Sequence, residues 1–226
     1  MKNRLMVALD VNRAKDALAL RDSISDAVGW FKIGLRLFVA EGPALVAAVR
    51  EQHRVFLDLK FHDIPNTVAQ AVESAGNLGV EMVNVHAGGG EQMLASAAEA
   101  AAVFPDMKLI AVTVLTSDPM PKQQASEVAL HRAKMAQNAG LHGVVCSVFE
   151  AAAIKDACGF DFLTVTPGIR WGNQNVQDQK RVADPAAAIA NGSDYLVVGR
   201  PILHAPNPRS AAMETIAMME SARSRV

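Results

Sequence analysis

Short apolar runs rich in β-branched and aromatic residues recur along the chain, each followed by a stretch whose apolar positions have helical spacing. Leu5 to Asp10 precedes a helix over Arg13 to Ala27, and Trp30 to Ile33 precedes an alanine-rich helix over Pro43 to Glu51. Val55 to Lys60 precedes a helix over Asn66 to Leu78, and Met82 to Ala87 precedes Gly88-Gly89-Gly90 and a helix over Gln92 to Val103. Leu109 to Leu115 leads through a polar loop to a helix from about Ser126 to Asn138, and Gly143 to Ser147 leads to a helix after Phe149. Phe162 to Thr166 is the seventh strand, and Tyr195 to Val198 with a helix over Asn207 to Ala222 completes the eighth unit.

Near-continuous apolar strands alternating with helices imply a parallel sheet buried on both faces. Eight such units in 226 residues predict a (β/α)8 TIM barrel, one domain over residues 1–226. An open doubly wound sheet is the alternative, but no Gly-x-Gly-x-x-Gly opens a helix after an early strand, as a dinucleotide fold would require.

In such barrels the reactive groups come from the C-terminal ends of the strands. Here Asp10, Lys32, Asp58 with Lys60, His86, Thr116 with Ser117, Ser147, Thr166 and Arg200 all stand at or just past those ends, a ring that predicts a convergent polar site. The densest stretch is Asp58-Leu59-Lys60-Phe61-His62-Asp63-Ile64-Pro65-Asn66-Thr67. Strand alternation puts Asp58 and Lys60 on one face, roughly 7 Å apart along the backbone. Asp63 falls where a helix begins near Pro65, so a surface salt bridge plus a capping aspartate is the competing explanation.

Glycine and arginine recur after the last two strands, in Thr166-Pro167-Gly168-Ile169-Arg170 and Val198-Gly199-Arg200-Pro201. These are the loops where barrels of this kind hold phosphate, with glycine allowing close backbone approach and arginine supplying a bidentate cation. Tight turns with exposed arginines are the plainer reading. From Trp171 to Arg181 the chain is too long and too polar for an ordinary connection and reads as a lid, with Gln179 a candidate phosphate contact.

Composition narrows the partners. Lys plus Arg number 22 against 23 acidic residues, a net charge of −1, which does not suggest nucleic acid or an acidic membrane as a partner. No apolar stretch reaches membrane-spanning length, and Met1-Lys2-Asn3-Arg4 runs straight into a short strand rather than a signal-peptide core. Cys146 and Cys158 are too few for a disulfide framework; Cys146 lies in an apolar run, and a reducing, cytoplasmic setting is expected.

With Val7-Ala8-Leu9-Asp10, Phe31-Lys32-Ile33-Gly34, Asp58 through Thr67, Val83-Asn84-Val85-His86-Ala87, Ala111 through Ser117 and the two glycine-arginine loops in this order, the chain resembles the orotidine 5′-monophosphate decarboxylase family, in its bacterial branch. The resemblance implies cofactor-independent conversion of orotidine 5′-monophosphate to uridine 5′-monophosphate and CO2 in pyrimidine biosynthesis, without a metal. By position, Lys60 would be the proton donor at C6, flanked by Asp58 and by Asp63 from the partner in a homodimer, with Lys32 completing the charged chain. Asp10, Lys32 and Thr67 would hold the ribose, Thr116 and Ser117 the base, and Arg170, Gln179, Gly199 and Arg200 the phosphate. His62 and His86 match the motifs without an assigned role. The alternatives are a Mg-dependent sugar-phosphate lyase or decarboxylase on the same barrel, and a non-catalytic barrel that binds a nucleotide phosphate.

Overall fold

The computed structural model describes residues 1–115, 117–171 and 183–223. Eight parallel strands, β1 (Leu5–Ala8), β2 (Trp30–Gly34), β3 (Arg54–Phe61), β4 (Met82–His86), β5 (Lys108–Val112), β6 (Gly143–Val145), β7 (Leu163–Thr166) and β8 (Tyr195–Val198), close into a barrel in sequence order, with β8 pairing back on β1. The helices between and after them are α1 (Ala14–Ile24), α2 (Leu35–Arg50), α3 (Pro65–Asn77), α4 (Gly90–Ala101), α5 (Lys122–Asn138), α6 (Val148–Cys158), α7 (Pro185–Ala190), α8 (Arg200–Leu203) and α9 (Pro208–Arg223). The (β/α)8 TIM barrel expected from the alternation is therefore the fold observed.

Period-two alternation divides the apolar side chains into two cores. Leu5 and Val7, Phe31 and Ile33, Val55 and Leu57, and Val83 and Val85 face outward and pack with the helices. Met6, Ala8, Trp30, Phe56, Met82, Ile110, Val165 and Val197 fill the barrel interior. The same inward phase, continued by two residues, reaches Asp10, Lys32, Asp58 and Asn84 at the C-terminal mouth. The barrel interior thus becomes the floor of the site without a change of architecture.

Two helices depart from the expected pattern. Helix α2 begins at Leu35, well before the Pro43 start read from the sequence, because Gly42 at φ 65° and ψ −161° breaks it into two helical parts and Pro43 starts the second. Helix α7 was not foreseen; Asp184 caps it by accepting from the Ala187 amide at 2.8 Å, and Pro185 occupies its first turn. Gly88-Gly89-Gly90 forms the expected tight connection, a 3-10 turn over Ala87–Gly89 with Gly90 at φ 85°.

Candidate active site

Strand β3 is irregular where the chemistry was expected. Leu57 pairs with Val83 and Phe61 with Val85, so β3 uses four steps where β4 uses two. Within this bulge Lys60 has φ 54°, the one non-glycine residue with positive φ among those described. For a residue with a Cβ this conformation costs about 1–3 kcal/mol. Plain alternation was therefore not what brought Asp58 and Lys60 together: the bulge turns Lys60 back so that its Nζ donates to Asp58 Oδ1 at 2.6 Å.

Asp58 anchors a continuous line of charge. Its Oδ2 lies 3.1 Å from Lys32 Nζ, which in turn lies 3.5 Å from Asp10 Oδ1. From β4, Asn84 Nδ2 donates to Asp58 Oδ1 at 2.7 Å, while Asn84 Oδ1 accepts the Lys60 amide at 2.8 Å. Asp58 and Lys32 are buried, Lys60 is partly exposed and Asp10 is exposed, so the line runs from the mouth into the barrel and back out. Burial alone would push the Asp58 pKa up, but the ammonium groups of Lys32 and Lys60, with hydrogen bonds from Lys60 and Asn84, bring it down to about 2. For Lys32 burial opposes the charge, yet Asp58 and Asp10 raise its pKa above the ordinary lysine value.

These residues line a cavity of about 450 Å³ at the C-terminal mouth, with Ala8, Phe56, Val112, Val145 and Val197 supplying apolar surface. Pro167, Gly168, Arg170, Gly199, Arg200 and His204 line the same cavity. The expected phosphate loops and the charged array thus share one space. Gly199 fits closely: a Cβ there would stand 3.3 Å from Asp10 Oδ2. Arg170 is largely buried and donates through Nη1 to its neighbour's carbonyl, Ile169 O, at 2.7 Å. Its amide donates to Ala183 O at 3.0 Å, and Ile169 bridges Ala183, which joins the chain on either side of the long polar segment.

Residues 3–215 match the model of the Orotidine 5'-phosphate decarboxylase / HUMPS family. The chain belongs to this family. A relative named orotidine 5'-phosphate decarboxylase from Alkalilimnicola ehrlichii is 50% identical over 218 residues, covering 92% of this chain and 93% of the relative. Another of the same name, from Trichlorobacter lovleyi, is 47% identical over 223 residues and covers 93% and 92% of the two chains. Among solved structures, that of orotidine 5'-phosphate decarboxylase from Lactobacillus acidophilus superposes with a TM-score of 0.82 at 35% identity, covering 95% of this chain and 98% of the other.

Not every residue singled out in the sequence reaches this cavity. Asp63 and Thr67 are exposed beyond the end of β3 and do not line it; the Asp63 carboxylate accepts from the following amide, Ile64, at 2.7 Å. Ser117 is exposed and also lies off the cavity wall. Thr116, Gln179 and the expected lid from residue 172 onward lie outside the described residues.

The polar ring is narrower than the strand ends suggested. Ser147 caps α6 in a reciprocal capping box with Glu150, and Thr166 is fully buried with its hydroxyl 2.7 Å from that of Ser193. Both polar side chains serve the fold. His86 stacks on His62 with ring centroids 5.1 Å apart and accepts from the Gly88 amide. Conversely, Asn84 went unassigned in the sequence because an asparagine flanked by valines reads as strand interior. Its signal was phase, since it follows the interior residue Met82 by two positions, as Asp58 follows Phe56 and Lys32 follows Trp30.

Proposed function

We propose that this protein is an orotidine 5′-phosphate decarboxylase, one barrel domain acting as a cytoplasmic homodimer without metal or organic cofactor in pyrimidine biosynthesis. The observation that carries the reading is the Asp10–Lys32–Asp58–Lys60 line, sharing a cavity with the Gly199-Arg200 loop in a chain about half identical to proteins of that name.

The chemistry follows from the charges. When the bond from C6 of the pyrimidine to its carboxylate breaks, the electron pair stays on C6 as an in-plane carbanion that the ring delocalises poorly. An ammonium fixed beside C6 stabilises that charge and transfers a proton to it, completing uridine 5′-monophosphate as CO2 departs. Lys60 is the group suited to this, since the bulge and the Asp58 contact hold its Nζ at the cavity wall. Asp58 orients Lys60 and, with Lys32, preorganises the field. Arg170, Gly199 and Arg200 take the phosphate with Gln179; Asp10 and Lys32 take the ribose with Thr67, which lies off this cavity as Asp63 does and reaches the ribose from the partner subunit; Thr116 and Ser117, which follow the cavity-lining Leu115, take the base.

Asp63 enters from the partner subunit in this reading. Its exposed position past β3 supports that role, as do the exposed apolar residues Leu35, Val39 and Ile64 just beyond the ends of β2 and β3. The metal-free reading is supported by charge matching: Asp10 and Asp58 both pair with Lys32, and Asp58 also holds Lys60. Among the described residues no group of three or more His, Cys, Asp or Glu side chains is arranged to hold a metal ion. The free, buried Cys146 and Cys158 suit a reducing compartment, and among the described residues no helix is long and apolar enough to cross a membrane.

The test is metal-stripped protein incubated with orotidine 5′-monophosphate, with CO2 and uridine 5′-monophosphate as readouts. Turnover supports the proposal. Activity on ketose phosphates only with added Mg²⁺, with orotidylate untouched, would replace it with the sugar-phosphate lyase alternative.

A further inference from the structure

Asn84 is fully buried on β4, and both ends of its side-chain amide are occupied by the neighbouring strand. Its oxygen accepts the Lys60 amide at 2.8 Å and its nitrogen donates to Asp58 Oδ1 at 2.7 Å, the same oxygen that receives Lys60 Nζ at 2.6 Å. Lys60 stands inside the register shift, at positive φ, where the regular β3–β4 ladder is interrupted. A buried amide there needs a partner, and the Asn84 carbonyl supplies it. The Asn84 amino group meanwhile fills a direction of Asp58 Oδ1 that the ammonium leaves open.

We infer that Asn84 is the positioning residue of the charged array, a strut from β4 that holds the Lys60 backbone in its left-handed turn and the Asp58 carboxylate in its rotamer at once. Without it the Lys60 amide is unpaired, the backbone is free to relax to negative φ, and Nζ moves relative to C6 of a bound nucleotide. Both of these hydrogen bonds run from Asn84 to β3, on the charged array and away from the Gly199-Arg200 loop, so nucleotide binding through the phosphate does not depend on it. Replacement by aspartate separates the two functions, because a carboxylate still accepts the Lys60 amide but meets Asp58 with like charge.

The inference rests on the decarboxylase reading, and the experiment keeps the two apart. Wild type, Asn84→Ala and Asn84→Asp are compared for rate at saturating orotidine 5′-monophosphate, affinity for uridine 5′-monophosphate and thermal midpoint. Misplacing a reacting group by about 1 Å costs on the order of 10²-fold in rate. Both variants are expected to fold, to bind uridylate within about threefold of wild type, and to lose about that 10²-fold in rate. A rate unchanged in either folded variant overturns the inference, as does a matching loss of uridylate affinity or failure of both variants to fold, since these describe a residue of the fold and not of the array. If wild type itself leaves orotidylate untouched, the decarboxylase reading fails instead.

Discussion

Lys60 Nζ lies 2.6 Å from Asp58 Oδ1 although the strand that carries both is broken between them, with β3 bulged against β4 and Lys60 at φ 54°. Asp58 also holds Lys32 at 3.1 Å, so one buried carboxylate stands between two ammonium groups. Removing it would leave buried Lys32 with only the longer contact to exposed Asp10, at 3.5 Å, and would free partly exposed Lys60 to move.

This arrangement has a pH signature. The Asp58 pKa falls from 3.8 to about 2 on folding, against burial and because of Lys32 and Lys60. A depressed carboxylate contributes stability that is fully present above its unfolded pKa and is lost as pH falls through the folded value, here an effect of about 2 kcal/mol. Urea unfolding of wild type and Asp58→Asn is expected to show a stability gap that is constant from pH 7 to 5 and shrinks from pH 4 toward 2. A gap that widens on acidification would contradict the assignment of Asp58 as the paired anion.

Asp63 gives a test of the proposal that the site is shared between two subunits. Lys60→Ala and Asp63→Ala subunits are each expected to be nearly inactive alone. Random exchange of equal amounts makes half the dimers mixed, each with one intact site, so about a quarter of wild-type activity should return. No recovery after proven subunit exchange would place Asp63 outside the neighbouring site.

Far from the mouth, Lys155 is buried and donates to Asp194 at 2.6 Å and to the carbonyls of Phe160 and Phe162. Asp194 in turn accepts from the Thr164 amide, which ties α6 to the starts of β7 and β8. Lys155→Ala breaks a buried pair and is expected to cost about 3 kcal/mol in chemical denaturation. Turnover per folded molecule should stay at the wild-type level, because neither Lys155 nor Asp194 lines the active-site cavity.

Much of this was legible in the residues themselves. The eight alternations carried the barrel, and the inward phase of Ala8, Trp30 and Phe56 leads two positions on to Asp10, Lys32 and Asp58. What alternation could not carry was its own interruption: the bulge at Lys60 depends on how β3 pairs with β4, a property of two strands together. Asn84 was hidden for the same reason, because its worth lies in a neighbour's irregular backbone. Ser147 and Thr166 misled in the opposite direction, since a polar residue at a strand end serves equally well as a helix cap or a buried hydroxyl pair. The first part of α2 was masked by Gly42-Pro43, which does mark a boundary, but one between two helical parts and not between a loop and a helix.

The most direct test of the account is the rate of orotidine 5′-monophosphate decarboxylation by Lys60→Ala beside wild type, both metal-stripped, with uridine 5′-monophosphate binding measured on the same samples. Deleting a preorganised charged donor removes at least ~3 kcal/mol of transition-state stabilisation, on the order of 10²-fold or more. Near-complete loss of decarboxylation with uridylate binding largely retained is expected. Comparable turnover in mutant and wild type would contradict the role of Lys60 as proton donor.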